Sequence, residues 1–175
     1  VSKLSKEELP AHTGALMSAF MHHQLGKHHN YYDVIHSHYW ISGQLGWMIS
    51  ERTGVPLVHT MHTMARVKNQ SLAEGDAREP LIRELGEQQL VDNASALIAN
   101  TDAEAAALVS LYGAKPEKVH VVTPGVDLEQ FNVAPKQFGN KFKISFVGRI
   151  QPHKGPEVLV RAAAEVLNIA PQLRS

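Results

Sequence analysis

Short apolar stretches rich in β-branched residues alternate with stretches of helical spacing along most of this chain, and this alternation constrains its fold more than any other feature. Strands are predicted at residues 33–36, 56–60, 96–99, 118–122 and 142–147. Helices are predicted at residues 41–52, 81–93, 101–112 and 156–169. Such alternation indicates an α/β fold, in which helices cover both faces of a parallel sheet.

Two of the predicted helices carry more detailed signals. Thr101 followed by Glu104 is typical of a capping box at a helix start, and Gly113 is typical of a helix end. On the helix at residues 81–93, the spacing predicts an apolar face made of Leu81, Ile82, Leu85, Leu90 and Val91.

A change of composition divides the chain into two domains. Residues 128–141 have little periodicity and contain proline and glycine, which is typical of a linker. We predict an N-terminal domain at residues 1–127, this linker, and the beginning of a second domain at residues 142–175. One strand and one helix cannot bury a core of their own, and no opening strand or glycine-rich turn precedes Leu4. The chain is therefore interpreted as an internal fragment that is incomplete in both domains.

The charge balance and the lack of cysteine exclude several classes of function. The 175 residues carry 17 lysines and arginines against 17 aspartates and glutamates. A balanced chain lacks the field that attracts polyanions, so nucleic acid is not an expected partner. No cysteine is present, which excludes a disulfide framework and thiolate metal ligands. No apolar run approaches the ~18 residues of a membrane span, and we expect a cytoplasmic location.

The loop at residues 146–156 predicts an anion site. It leads from a predicted strand into a predicted helix, and it carries Arg149 and Lys154, with Pro156 at the first helical position. A helix N-terminus favours anions, and an arginine fork beside a lysine point charge suits a diphosphate. The alternative is an ordinary surface loop with two solvated charges.

Histidines cluster at the ends of the first two predicted strands. His36 ends the first predicted strand and His38 follows it, whereas His59 lies near the end of the second and His62 follows it. Ligands of open α/β sheets bind beyond the carboxyl ends of the strands, so we expect a binding site there. The same four histidines also raise the alternative of a zinc protein, because zinc needs three or four such ligands. No carboxylate partner pattern supports that alternative.

Several motifs resemble those of retaining glycosyltransferases that use nucleotide sugars, have the GT-B fold of two Rossmann-like domains, and are of the GT4 type. The resemblance spans nearly the whole chain in order. Its narrower signals, the stretches at residues 4–10 and 87–94, resemble the branch whose acceptor is inositol phosphate. The shared motifs are His36-Ser37-His38-Tyr39-Trp40, His59-Thr60-Met61-His62-Thr63, Pro124-Gly125-Val126-Asp127 and the loop at residues 146–156.

The resemblance assigns the acceptor site to four residues. It implies that contacts to the phosphate and the ring hydroxyls come from Lys6, Tyr39, Thr63 and Arg83. Their chemistry fits, because an arginine binds phosphate bidentately and hydroxyl groups donate to its oxygens. The alternatives are a packing role for Tyr39 and a solvated helix position for Arg83.

The resemblance assigns the donor site and the catalytic groups to three residues. Arg149 and Lys154 are implied to bind the pyrophosphate of the donor and to stabilise it as it leaves. His62 is implied to lie beside the donor sugar, where it hydrogen-bonds the sugar or braces the transition state. The alternative for His62 is a buried structural histidine. The family's front-face mechanism needs no protein carboxylate as a base.

The reaction implied by the resemblance is transfer of N-acetylglucosamine from UDP-N-acetylglucosamine to 1D-myo-inositol 3-phosphate with retained configuration, the first step of mycothiol biosynthesis in actinobacteria. No cofactor and no metal are expected within this chain, and a Mg²⁺ ion is placed in the part of the second domain after Ser175. The full-length protein is expected to be a homodimer, and the fragment alone is expected to be inactive. Alternatives are a related enzyme with another acceptor, such as fructose 6-phosphate, and a non-catalytic binding module.

Overall fold

A computed structural model describes residues 8–24, 31–132 and 143–174. The described residues form two compact units. The first unit comprises the described residues up to Gln70 together with Glu79–Pro124, and the second comprises Ser71–Arg78 together with the described residues from Gly125 onward. No helix within the described ranges is long and apolar enough to cross a bilayer.

The first unit is built of five α-helices and four strands within the described ranges. In chain order, they are α1 (Thr13–Gln24), β1 (Ile35–His38), α2 (Trp40–Thr53), β2 (Leu57–Thr60), α3 (Ala65–Gln70), α4 (Leu81–Asn93), β3 (Ala96–Ala99), α5 (Asp102–Tyr112) and β4 (Val119–Val121). Short 3-10 helices lie at Leu9–His12 and Pro116–Lys118. The predicted helices and the strands at β2, β3 and β4 are confirmed to within about two residues, the precision expected of element ends.

The four strands form one parallel sheet in the order β1-β2-β3-β4. Because spatial order follows chain order, right-handed crossovers place the connecting helices on one face. One row of residues across the sheet, made of Ser37, His59 and Leu97, is buried on that face. In the next row, the two edge residues His38 and His120 are exposed. Within the described residues, helices therefore cover one face of the sheet, and not both faces as predicted.

Helix α5 shows how local sequence sets the element ends. Thr101 is the N-cap, and its hydroxyl oxygen accepts a hydrogen bond from the backbone N–H of Glu104 at 3.2 Å. The Glu104 carboxylate accepts from the backbone N–H of Asn100 at 2.6 Å. At the other end, Gly113 has a φ of 66°, which a residue without a Cβ adopts at little cost. The predicted glycine cap is thus confirmed. Of the predicted capping box, the bond to the Thr101 hydroxyl is present, and the return bond of Glu104 goes to Asn100, one residue before the N-cap.

The core lies between the covered face of the sheet and the helices. Leu57, Leu90, Leu97 and Leu108 are fully buried in it. Burial of one such side chain stabilises the fold by about 1.5–3 kcal/mol. This core holds the strands in register and so fixes the positions of the residues at their carboxyl ends.

The first half of α4 differs from the prediction. Leu81, Ile82 and Leu85 are exposed, and the buried face is formed instead by Arg83, Gly86, Glu87, Leu90 and Val91. Gly86 allows the close approach of Trp40, since a Cβ atom at this position would lie 2.9 Å from Trp40 Cε3. The prediction was wrong here because an ion pair, not an apolar stripe, is packed inside.

The second unit contains α6 (Pro156–Ile169) and 3-10 helices at Pro152–Lys154 and Pro171–Arg174. Pro156 occupies the first turn of α6, and Gly155 before it has a φ of 65°. The strand predicted at residues 142–147 is not present at residues 143–147, the part that the structure describes. A strand needs a hydrogen-bonded neighbour, and no second strand is found among the described residues of this unit.

Candidate functional site

Two strained turns mark the carboxyl ends of β1 and β2. Tyr39 directly follows β1 with a φ of 70°, and His62 lies two residues after β2 with a φ of 59°. In the described ranges they are the only non-glycine residues with positive φ. The two turns are joined by a hydrogen bond from the Tyr39 backbone N–H to the Thr60 carbonyl at 3.0 Å. Such strain persists where the surrounding structure enforces it, and it is concentrated at binding sites.

Three histidines gather on the open face of the sheet beside these turns. His36 and His38 both lie within β1, because the strand lies two residues later than predicted. One ring nitrogen of His36, Nε2, is 2.9 Å from Thr60 Oγ1. The Nδ1 of His38 is 2.8 Å from the Nε2 of His62, and the two rings meet edge to edge with 5.1 Å between centroids. The site predicted at this edge thus has a cluster of exposed, hydrogen-bonding imidazoles.

His59, the fourth histidine, lies on the opposite, buried face. Its side chain is fully buried, and its Nδ1 is 2.7 Å from the hydroxyl oxygen of Ser37. Burial, followed by the nearby charges of His38, His36 and His62, lowers the pKa of His59 to about 4. His59 is therefore neutral at pH 7 and serves packing, not binding.

The lowered pKa of His59 predicts a stability that falls in mild acid. The pKa is about 6.5 in the unfolded chain and about 4 in the folded one, so between these pH values the unfolded state binds more protons. The free energy of unfolding is expected to fall by about 2 kcal/mol between pH 7 and pH 5. Hydrogen exchange of β2 amides at both pH values, corrected for intrinsic rates, measures this change.

The matched variant for this prediction is His59→Asn, which keeps a polar group toward Ser37 and cannot titrate. Its protection should depend on pH much less than that of the unsubstituted protein, whatever its stability at pH 7. An equal pH dependence in both proteins would contradict the assignment to His59.

Arg83 is the central cation of the site in the first unit. Its side chain is 1% exposed. Its Nε donates to Glu87 Oε1 at 2.7 Å, and its Nη2 donates to the Thr63 hydroxyl and carbonyl oxygens at 2.9 and 3.1 Å. The guanidinium carbon lies 5.1 Å from the centroid of the Tyr39 ring, within the range of a cation–π contact. The structure therefore brings Arg83, Thr63 and Tyr39 together, and their acceptor role stays a prediction.

Two glutamates compensate the charge of Arg83. Glu79 Oε2 lies 2.8 Å from Arg83 Nη1, and its other oxygen accepts from Lys68 Nζ at 2.6 Å. Burial alone would raise the pKa of Glu79, but the hydrogen bonds and charges of Lys68 and Arg83 lower it. Burial would likewise lower the pKa of Arg83, and Glu87 and Glu79 raise it instead. The guanidinium is thus permanently charged and held in place.

Glu87 ties this cation to the fold. Its Oε2 accepts from the backbone N–H of Ala65 at 2.8 Å and from the hydroxyl of Tyr112. Burial and the bond to Glu87 raise the pKa of Tyr112 above its ordinary value. A fully buried carboxylate with several donors is the arrangement in which a buried charge is tolerated.

The described residues bring together only part of the predicted site. Tyr39, His62, Thr63 and Arg83 share the first unit and lie at the ends of β1 and β2 or on α4. Lys6 lies outside the described residues. The cations predicted for the donor, Arg149 and Lys154, lie in the second unit, exposed on the segment that precedes α6. Their roles remain predictions.

No metal centre is formed by the described part of the chain. Within residues 8–24, 31–132 and 143–174, no three histidine, aspartate or glutamate side chains are arranged to hold an ion. His36, His38 and His59 cannot act together, because His59 points to the opposite face of the sheet. The geometry therefore gives no support to the zinc alternative.

The two glutamates that hold Arg83 were not predicted from the sequence. Glu87 stands four residues after Arg83 on α4, the spacing at which side chains meet on a helix, and Glu79 stands four residues before it, ahead of the helix start. That i,i+4 signal was available in the sequence. The burial of Arg83 with Glu87 could not be predicted, since charged side chains at this spacing are usually solvated.

Curated relatives match nearly the whole chain. A family model described as a glycosyl transferase 4-like domain matches residues 6–125. A protein named D-inositol 3-phosphate glycosyltransferase from Kribbella flavida is 52% identical over 98% of this chain, and one of the same name from Kineococcus radiotolerans is 50% identical over 98%. The chain spans 42% of the length of each of these relatives.

Solved structures show the same fold. A sucrose-phosphate synthase from Thermosynechococcus elongatus superposes with a TM-score of 0.76 and 25% identity, over 93% of this chain and 41% of that one. Anabaena HepE in complex with UDP and glucose superposes with a TM-score of 0.61 and 20% identity, over 87% of this chain and 39% of its own. The predicted α/β, GT-B fold class is confirmed.

Proposed function

Since the chain belongs to the glycosyl transferase 4-like family, we propose that the complete protein containing it transfers a hexosyl group from a nucleotide-sugar donor with retained configuration. We propose N-acetylglucosamine from UDP-N-acetylglucosamine as the transferred group and 1D-myo-inositol 3-phosphate as the acceptor. The observation that carries this proposal is the identity of 50–52% to relatives named for that acceptor. The mycothiol pathway, the homodimer, the cytoplasmic location, the Mg²⁺ ion and the two-domain division remain predictions.

The contacts around Arg83 support a phosphorylated acceptor. The guanidinium is rigid, charged and next to the Thr63 hydroxyl, which accepts from Arg83 and retains its own O–H for a ligand. Lys68 brings a second cation to the same carboxylate, Glu79. Because Glu79 neutralises both Arg83 and Lys68, a phosphate must either displace Glu79 from these cations or bind them together with it. We therefore propose that acceptor binding loosens the contact between Arg83 and Glu79.

The donor half of the mechanism rests on electrostatics. As the bond to the sugar breaks, the sugar becomes positively charged and the UDP diphosphate gains negative charge. Arg149 and Lys154 are proposed to oppose that growing charge, and His62 to hydrogen-bond the sugar beside the breaking bond. No carboxylate base is required when the donor phosphate takes the proton of the acceptor hydroxyl.

A competition assay tests the acceptor. The complete protein is incubated with UDP-N-acetylglucosamine and equal amounts of inositol 3-phosphate and fructose 6-phosphate, and the products are identified by mass. We expect an N-acetylglucosaminyl inositol phosphate. Transfer to fructose 6-phosphate alone would discard this acceptor and retain the fold and the donor loop.

The variant that tests the acceptor site is Thr63→Val. We prefer it to Arg83→Ala because Arg83 also stabilises the fold. Loss of one hydrogen bond to a charged ligand costs about 1.5–3 kcal/mol, so the KM for the acceptor should rise about 10- to 100-fold with a smaller change in kcat. Thr53→Val, at the C-terminal end of α2, serves as the control and should leave both parameters unchanged. An unchanged KM in Thr63→Val would exclude this hydroxyl from the acceptor site.

The second candidate is an enzyme that acts on a different sugar phosphate. The superposition on a sucrose-phosphate synthase, at 25% identity and a TM-score of 0.76, favours it specifically. A phosphate site at Arg83 would serve either acceptor, and the residues that read the hydroxyl groups would differ. The competition assay separates the two candidates directly.

A further inference from the structure

His38 contacts His62, and the proposed reaction uses only His62 of this pair. His38 Nδ1 and His62 Nε2 are 2.8 Å apart, and the two rings meet edge to edge with an angle of 28° between their planes. Each imidazole is held by a different element, since His38 is the last residue of β1 and His62 follows β2. At this distance one of the two nitrogens carries a hydrogen atom and donates a hydrogen bond to the other.

The backbone gives this pair a fixed geometry. His38 lies opposite Thr60 in the parallel register of β1 and β2, so a sheet position sets its Cα. His62 has a φ of 59°, and the tight turn around it is closed by a hydrogen bond from the Thr63 N–H to the Met61 carbonyl at 2.7 Å. The His62 ring is therefore constrained by its turn and by one side-chain contact. Groups held on strands are placed more accurately than groups held on loops alone.

The contact decides which nitrogen of His62 remains for a ligand. His62 Nε2 is engaged by His38, so Nδ1 is the nitrogen that a sugar hydroxyl or ring oxygen can meet. If His38 donates, the proton of neutral His62 is on Nδ1, and His62 donates to the sugar. If His62 donates, its Nδ1 accepts from a sugar hydroxyl. In both cases the partner of a histidine sets its tautomer and ring orientation.

We propose that His38 is a positioning residue, which holds Nε2 of His62 through its own Nδ1 so that His62 presents Nδ1 to the donor sugar. This inference rests on the proposed function, because it assigns His38 a role through His62. The neighbouring His36 does not share the role, since its Nε2 contacts Thr60 Oγ1. A displacement of a reacting group by about 1 Å costs on the order of 100-fold in rate.

Two variants of His38 separate hydrogen bonding from packing. His38→Leu keeps the bulk and removes the hydrogen bond, and we expect kcat of the complete protein to fall about 10- to 100-fold with little change in the acceptor KM. His38→Asn places an amide near the position of Nδ1 and should restore most of that loss. His22→Leu, an exposed histidine on α1, is the control and should leave kcat unchanged. Equal kcat in His38→Leu and the unsubstituted protein, or equal losses in the Leu and Asn variants, would overturn the proposal.

A spectroscopic measurement tests the pair without using activity. In protein labelled with ¹⁵N-histidine, long-range proton–nitrogen correlations report the tautomer of the His62 ring. One tautomer should dominate in the unsubstituted protein, and both should be populated in His38→Leu. An unchanged tautomer in His38→Leu would overturn the inference even if the complete protein transfers sugar. Absence of any transfer, together with the expected tautomer change, would instead count against the proposed function alone.

Discussion

Replacing Arg149 with alanine is expected to lower the kcat of the complete protein about 100- to 1000-fold. The magnitude is that of removing one positioned donor from a site where charge develops. The diphosphate already carries charge in the bound donor, and more accumulates on it as the bond to the sugar breaks. The interaction is therefore stronger in the transition state than in the ground state, so kcat should fall by more than the KM for the donor rises.

The control for Arg149→Ala is Arg161→Ala, which removes an exposed arginine from α6. Arg161 pairs with Glu157 one turn earlier, and both side chains are more than 70% exposed. Such a pair contributes little, so Arg161→Ala should retain full activity. Arg149→Lys should recover part of the loss, because a lysine supplies the charge without the fork. If Arg149→Ala retained kcat within about 3-fold of the unsubstituted protein, the leaving diphosphate would have to be stabilised elsewhere.

The order of strands and helices was predictable because the local spacing of apolar residues indicates each element. Leu57, Leu97 and their neighbours form short apolar runs that indicate buried parallel strands. The first strand was placed two residues early because its ladder extends to His38. Those last residues, Ser37 on the covered face and His38 on the open one, are polar, so they give no hydrophobic signal. Only the backbone hydrogen bonds to β2 include them in the strand.

The face of α4 could not be predicted from hydrophobicity. Leu81, Ile82 and Leu85 form an apolar group in the sequence, and yet they are exposed within the described first unit. Tertiary contacts reverse the expectation, because the buried Arg83 pairs with two glutamates and donates hydrogen bonds to Thr63. Hydrophobic periodicity identifies a buried face from its apolar residues alone. It gives no signal for a buried arginine whose partner Thr63 lies 20 residues away in the sequence.

The candidate site was predictable in its place and only partly in its contacts. The rule that ligands of open sheets bind at the carboxyl ends led to the loops that carry Tyr39 and His62, and the resemblance assigned the roles of these two residues. Their positive φ values depend on the closure of the turns, which no residue pattern here encodes. The contact between His38 and His62 depends on the register of β1 against β2, and a shift by one residue would point His38 to the opposite face.

Replacing Glu87 with alanine is expected to lower the free energy of unfolding of the first unit by about 3–5 kcal/mol. The substitution leaves the Arg83 guanidinium, 1% exposed, without one of its two carboxylates. The backbone N–H of Ala65 and the hydroxyl of Tyr112 lose their acceptor at the same time. Each buried donor without a partner adds a penalty of about 1–3 kcal/mol, only part of which relaxation recovers. Hydrogen exchange of α4 amides in the complete protein measures this loss locally.

Two further variants show whether the loss comes from the buried charge. Glu51→Ala removes an exposed glutamate from α2 and should leave the exchange of α4 amides unchanged. Arg83→Met combined with Glu87→Ala also removes the cation that has lost one of its two carboxylates. This double variant should be more stable than Glu87→Ala alone, because an incompletely compensated buried charge costs more than a missing ion pair. If the double variant were less stable than Glu87→Ala, the penalty would lie in the bonds to Ala65 and Tyr112 and in lost packing. Arg83 would then keep a compensated charge through Glu79 alone, and its guanidinium would be freer to turn toward a phosphate than the contacts with Glu87 imply.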